Sequence, residues 1–153
     1  MNTSVKIFLL ISSMLLIASC TPTVDKIPEG LVAPENPLSS CPDTPNCFRT
    51  TQYFEADSSL VFTALHSTIK EMNAHEVELI STDTVQSINA IYKIPVFGWM
   101  DDVNIIIESN RQNISGSFVH LRSASREGYS DLGVNKRRIN RIIKDSRKKL
   151  NAQ

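Results

Sequence analysis

Three histidines and three cysteines are all that this chain of 153 residues offers as imidazole or thiolate metal ligands. His66, His75 and His120 show no ligand-like spacing around Cys41 and Cys47, whereas a zinc site needs four converging N or S ligands. No metal and no cofactor is therefore expected. The chain also lacks a Gly-x-Ser-x-Gly elbow, which removes the nucleophile turn of the α/β-hydrolases. Net charge is absent too, with 16 Lys and Arg against 16 Asp and Glu. The bases that do cluster, near the C-terminus, have no interleaved aromatics of the kind that bind single-stranded nucleic acid. Finally, no apolar run reaches the roughly 20 residues that span a bilayer.

One shorter apolar run is present, and its position gives it meaning. After Lys6 the chain reads "IFLLISSMLLIAS" and then Cys20. One base, about a dozen mostly apolar residues and a small-residue end form the layout of a secretory signal peptide, here residues 1–19. A buried core helix would need something to pack on, and polar, proline-rich chain follows instead. "IASC" at 17–20 resembles the bacterial lipobox, in which the cysteine is lipidated and becomes the new N-terminus. At about 0.8 kcal/mol per buried methylene, several acyl chains such as palmitate make an essentially permanent anchor. The resemblance to Gram-negative lipoproteins, with Thr21 rather than Asp after the cysteine, points to the outer membrane facing the periplasm. The expected membrane partner is thus reached through a lipid on Cys20. Residues 20–40 hold four prolines and no periodicity, so they read as a semi-rigid tether. At about 3.1 Å per residue it reaches roughly 60 Å.

Lipidation of Cys20 leaves Cys41 and Cys47 as a pair in "CPDTPNC". Its prolines, Asp and Asn favour turns, which bring two Cα atoms within disulfide range. A disulfide is the expected use, with metal binding as the competing one.

The rest, 41–153, reads as one α+β domain. "ADSSLVFTALHSTIKEMN" repeats Leu60, Val61, Ala64, Leu65, Ile69 and Met72 on one helical face, with Asp57 or Ser58 as N-cap. "HEVELIS", "SINAIYKI", "DDVNIIIES" and "ISGSFVHLRS" alternate as strands. A last helix buries Ile139, Ile142, Ile143 and Leu150 and is otherwise basic: residues 135–149 hold eight Lys or Arg and the single acid Asp145. Such a helix is either a solvated face or a partner surface. About four antiparallel strands packed on two helices make a two-layer domain. If the last hairpin turns at Arg111–Gln112, then Ile105 faces Phe118, Val103 faces His120 and Asp101 faces Arg122, pairing apolar with apolar and acid with base.

"CPDTPNC", "FGWMDDV" and "LRSASREGYSDLGVNKRRI" closely resemble the bacterial family called domain of unknown function 1499, over roughly Cys41 to the last helix. The matching positions are Cys41, Pro42, Asp43, Asn46 and Cys47; Phe97, Gly98, Asp101 and Asp102; and Arg122, Ser123, Ser125, Arg126, Ser130, Asp131, Gly133, Asn135 and Arg138. The family brings no catalytic residue or ligand to carry over. Three readings of the polar residues follow. In the first, structural reading, Asp101 and Asp102 hold Arg122 and Arg126, Ser130 or Asp131 caps the last helix, and the protein is an envelope scaffold or interaction module. In the second, Arg122, Arg126 and Arg138 converge on an anionic small molecule or lipid headgroup, with Ser123, Ser125, Asp131 and Asn135 around it. The third, hydrolysis by Ser123 with His120, suffers because those residues point to opposite faces of a strand. The structural reading is favoured.

Overall fold

The structure, a computed structural model, describes residues 27–82, 85–95, 98–109 and 115–152. The expected signal peptide, Cys20, Phe97 and the hairpin turn at 111–112 lie outside them. Seven elements follow in order: β1 Cys47–Phe54, α1 Ser58–Glu71, β2 Glu76–Ser81, β3 Gln86–Lys93, β4 Met100–Ser109, β5 Ser117–Ser125 and α2 Val134–Leu150. The strands form one antiparallel sheet in the order β1-β5-β4-β3-β2. Both helices lie on one face, so the domain is α+β with two layers, and its sheet has five strands. The fifth, β1, has no clean alternation to betray it. "CFRTTQYF" carries Phe48 and Phe54 on the helix side, yet all its residues are at least partly buried.

Packing follows the helical and strand periods. From α1, Val61, Ala64, Leu65, Thr68 and Ile69 face inward, while Leu60 is exposed. Thr68 takes the inward place because its hydroxyl donates to the Ala64 carbonyl (2.9 Å) and accepts from Ser146 of α2 (3.0 Å), so both of these buried hydroxyls are paired. The sheet contributes Ile88, Val103, Ile105, Ile107, Val119 and Leu121 to the same core, and α2 adds Ile139 and Ile142.

The β4–β5 register differs from the expected one by three residues. Ile105 pairs with Leu121, Val103 with Ser123 and Asp101 with Ser125. An odd slip reverses the faces, so Val119, Leu121 and Ser123 face the helices, and Phe118, His120 and Arg122 face away. The expected pairing failed because β5 is buried on both sides. Phe118 packs on Tyr53 of β1, ring centroids 5.5 Å apart, and on Leu31, which is 7 % exposed. Leu31 belongs to the stretch read as tether. From there the chain lies against the domain, and Asn36 donates to the Thr50 carbonyl of the edge strand β1 (3.0 Å).

Candidate functional site

Consecutive strand residues face opposite sides, so Asp101 and Asp102 at the start of β4 part company. Asp101 turns under the helices, where it is 2 % exposed, and accepts from Arg138 Nη2 of α2 at 2.6 Å. Arg138 Nη1 donates to Asn135 Oδ1 (2.7 Å) and Ser123 Oγ (3.0 Å), and its guanidinium lies 4.7 Å over the Tyr92 ring. Asn135, fully buried, accepts from Ser123 and donates through Nδ2 to the Asn46 carbonyl (2.9 Å) and Ser125 Oγ (3.0 Å). Burial pushes the Tyr92 phenol up to about 12, against the pull of Arg138 and Arg141.

The two ends of this network are built by short-range chemistry. Cys41 and Cys47 are joined as a disulfide, which closes the loop carrying Asn46. Asn46 Nδ2 then reaches across to the Gly128 carbonyl (2.6 Å). Gly133 precedes α2 with φ +78°, a left-handed turn that suits glycine. Asp131 accepts from the Gly133 amide (2.8 Å) and the Asn135 amide (2.6 Å), so its carboxylate caps the helix start. Beside this corner lies a cleft of about 170 Å³, lined by Ile94, Trp99, Ser125, Asp131 and Leu132 among others.

Asp102 emerges on the open face of the sheet and takes Arg126 in a bidentate pair, Nε at 3.0 Å and Nη2 at 2.8 Å. Both partners are substantially exposed, so the pair contributes little to stability. Arg122 does not complete the expected set. It forms no ion pair with Asp101 or Asp102; it stands on the open face opposite Asn104 of β4 and Arg49 of β1. Arg122, Arg126 and Arg138 therefore do not converge, because Arg138 is on the helix side and the other two are on the open side.

The open face also carries His120, fully buried, with Nδ1 2.9 Å from the Thr51 hydroxyl and Nε2 3.7 Å from Glu108. Burial holds its imidazole below the usual 6.5; Glu108 opposes this and Arg49 reinforces it. As pH falls below about 6.5 the unfolded chain takes up a proton that the folded chain refuses, so stability declines toward the lower folded value. Above 6.5 both forms are neutral and His120 contributes no slope. NMR titration of the His120 ring protons is expected to give a midpoint below 6.5; one at or above 6.5 contradicts the burial argument.

The three quoted sequence motifs thus meet at one corner: the disulfide loop through Asn46, the Asp pair through Asp101, and the final segment through Asn135 and Arg138. A family model described as "Protein of unknown function (DUF1499)" matches residues 37–145. The chain belongs to that family. No curated protein matches this DUF1499 chain. Among solved structures, the di-domain ARO/CYC StfQ of the steffimycin biosynthetic pathway is similar at 11% identity and a TM-score of 0.38. That match covers 66% of this chain and 44% of the other, so the DUF1499 chain spans less than half of it.

Sequence reasoning missed Asn46 and Tyr92 as members of the corner and Arg49 as the neighbour of Arg122. Asn46 carried a signal, since it sits within the quoted disulfide motif. Arg49 carried none, because its position depends on the unrecognised strand β1.

Proposed function

We propose that this protein is a lipid-tethered module of the bacterial cell envelope, anchored through Cys20 in the outer membrane and facing the periplasm. In this reading it acts by presenting surface to a partner rather than by turning over a substrate. The observation that supports it is the internal use of the polar segment 123–138. Ser123 commits its hydroxyl to Asn135 and Arg138, Arg138 is held by Asp101, and Arg126 is held by Asp102. His120 and Ser123 project from opposite sides of β5, a poor arrangement for a base and its nucleophile. What remains outward on α2 is a basic face of Lys136, Arg137, Arg141, Lys144 and Lys148, a surface suited to an acidic partner. With Leu31 packed on the sheet, residues 21–30 are the tether in this reading, roughly 30 Å at 3.1 Å per residue.

The alternative reading, an anion gripped by Arg122, Arg126 and Arg138, loses two of its arginines to internal aspartates.

Metabolic labelling with palmitate and membrane fractionation test the proposal. Wild type is expected to carry label and to sediment with outer membranes. Cys20→Ser is expected to lose the label and move to the soluble periplasmic fraction, and Thr21→Asp to shift the protein to inner-membrane fractions. A Cys20→Ser variant that stays labelled and membrane-bound overturns the reading.

A further inference from the structure

On the open face one row of side chains crosses the whole sheet, directly opposed strand by strand: Glu78 on β2, Asn89 on β3, Asn104 on β4, Arg122 on β5 and Arg49 on β1. Its first three members are wired together. Asn104 Nδ2 donates to Asn89 Oδ1 (3.0 Å), and Asn89 Nδ2 donates to Glu78 Oε2 (3.0 Å). The other end sets two arginines, Arg49 and Arg122, directly opposite each other across β1 and β5, an arrangement that costs rather than contributes, since like charges directly opposite on a sheet repel.

Nothing among the described residues relieves that repulsion. Arg122 has neither a hydrogen-bond acceptor nor a carboxylate within ion-pair reach there, and its Nε is buried without a partner. The Arg49 Nε is buried and unpartnered as well. Arg49 is fixed from behind by donating through Nη2 to the Asn36 carbonyl, so its position is set by the packed N-terminal segment. The neighbouring groups offer no countercharge to spare. Asp102 is taken by Arg126, Glu108 lies toward His120, and Thr51 is engaged by His120. The one arginine buried among the described residues, Arg138, is paired to Asp101, and the half-buried Arg147 donates to the Tyr53 carbonyl. Both Arg49 and Arg122 remain only half buried, so they reach solvent.

We propose that Arg49 and Arg122 form an oxyanion site on the open sheet face that takes a phosphate group. A tetrahedral phosphate presents enough acceptor oxygens to engage two guanidinium forks at once, whereas a single carboxylate is matched by one fork. Bound between them it converts the repulsive pair into a charge-balanced cluster. The buried, unpartnered donors are the departure from local rules that functional positions commonly show. The source of the phosphate is a soluble phosphate ester or the headgroup of an anionic lipid. This site is separate from the polar corner under the helices and does not depend on the tether reading.

Titration of the full-length chain, with ¹⁵N-labelled arginine, by inorganic phosphate at pH 7 and low ionic strength tests the site. Saturable shifts of the Arg49 and Arg122 Nε–H resonances are expected, ahead of those of Arg126 and Arg141. Arg122→Gln and Arg49→Gln are each expected to weaken binding about tenfold or more, and Lys70→Gln, exposed on α1 on the other side of the sheet, to leave it unchanged. A purely structural role for Arg122 would lower the melting temperature of Arg122→Gln, whereas relief of repulsion holds or raises it. If the variants fail to fold, the wild-type resonances alone decide. Competition by phosphatidylglycerol vesicles, but not phosphatidylcholine vesicles, identifies a lipid headgroup; phosphate binding without such competition identifies a soluble ester. Shifts that do not saturate, or equal loss in Lys70→Gln, overturn the proposal.

Discussion

Arg138→Met is expected to cost about 3–5 kcal/mol of folding stability, the range for removing one partner of a buried ion pair. Methionine fills much of the volume, so the loss is electrostatic rather than a cavity. What it leaves behind is Asp101, 2 % exposed, with its countercharge gone. Ser123 and Asn135 also lose a donor, and Tyr92 loses the cation over its ring. Because the cost lies in the abandoned carboxylate, Asp101→Asn together with Arg138→Met is expected to cost less than the sum of the two single changes. Urea unfolding of the four proteins measures this. Strict additivity contradicts a coupled pair.

Asn135→Ala is expected to cost about 2–4 kcal/mol, by leaving several buried groups without partners at once. The amide is fully buried and serves four neighbours: it accepts from Ser123 and Arg138 and donates to Asn46 and Ser125. The loss should also be local. The Ser125 amide donates to the same Asn46 carbonyl that Asn135 holds (2.9 Å), so hydrogen exchange at Ser125 is expected to accelerate while exchange in the central β3–β4 pairing keeps pace with global stability. Uniform acceleration everywhere, with no excess at Ser125, contradicts the view that Asn135 joins the disulfide loop to α2.

These two residues also mark where sequence was legible and where it was not. The helices were legible because α1 and α2 each bury one stripe at the 3.6 period, and β4 because Val103, Ile105 and Ile107 recur at the two-residue period on one buried face. β1 was not, because packed chain on its open side and helices on the other blur its alternation. The β4–β5 register was not, because β5 is buried on both faces and several registers match apolar with apolar. That slip misassigned the charges. With Arg122 set opposite Asp101, an ion pair looked natural; in the true register Asp101 faces the helices and finds Arg138, 37 residues away in the chain. No local pattern encodes such a contact. The capping role of Asp131 was legible for the opposite reason, since it acts within four residues of itself.

The same polar segment thus supplies arginines of opposite kinds. Arg138 is enclosed by an aspartate, an asparagine, a serine and a tyrosine ring, and Arg122 faces another arginine. Side-by-side urea unfolding of Arg138→Met and Arg122→Gln at pH 7 tests that division most directly. The expected result is a large fall in midpoint for Arg138→Met and an unchanged or higher midpoint for Arg122→Gln. Comparable losses in both would contradict it.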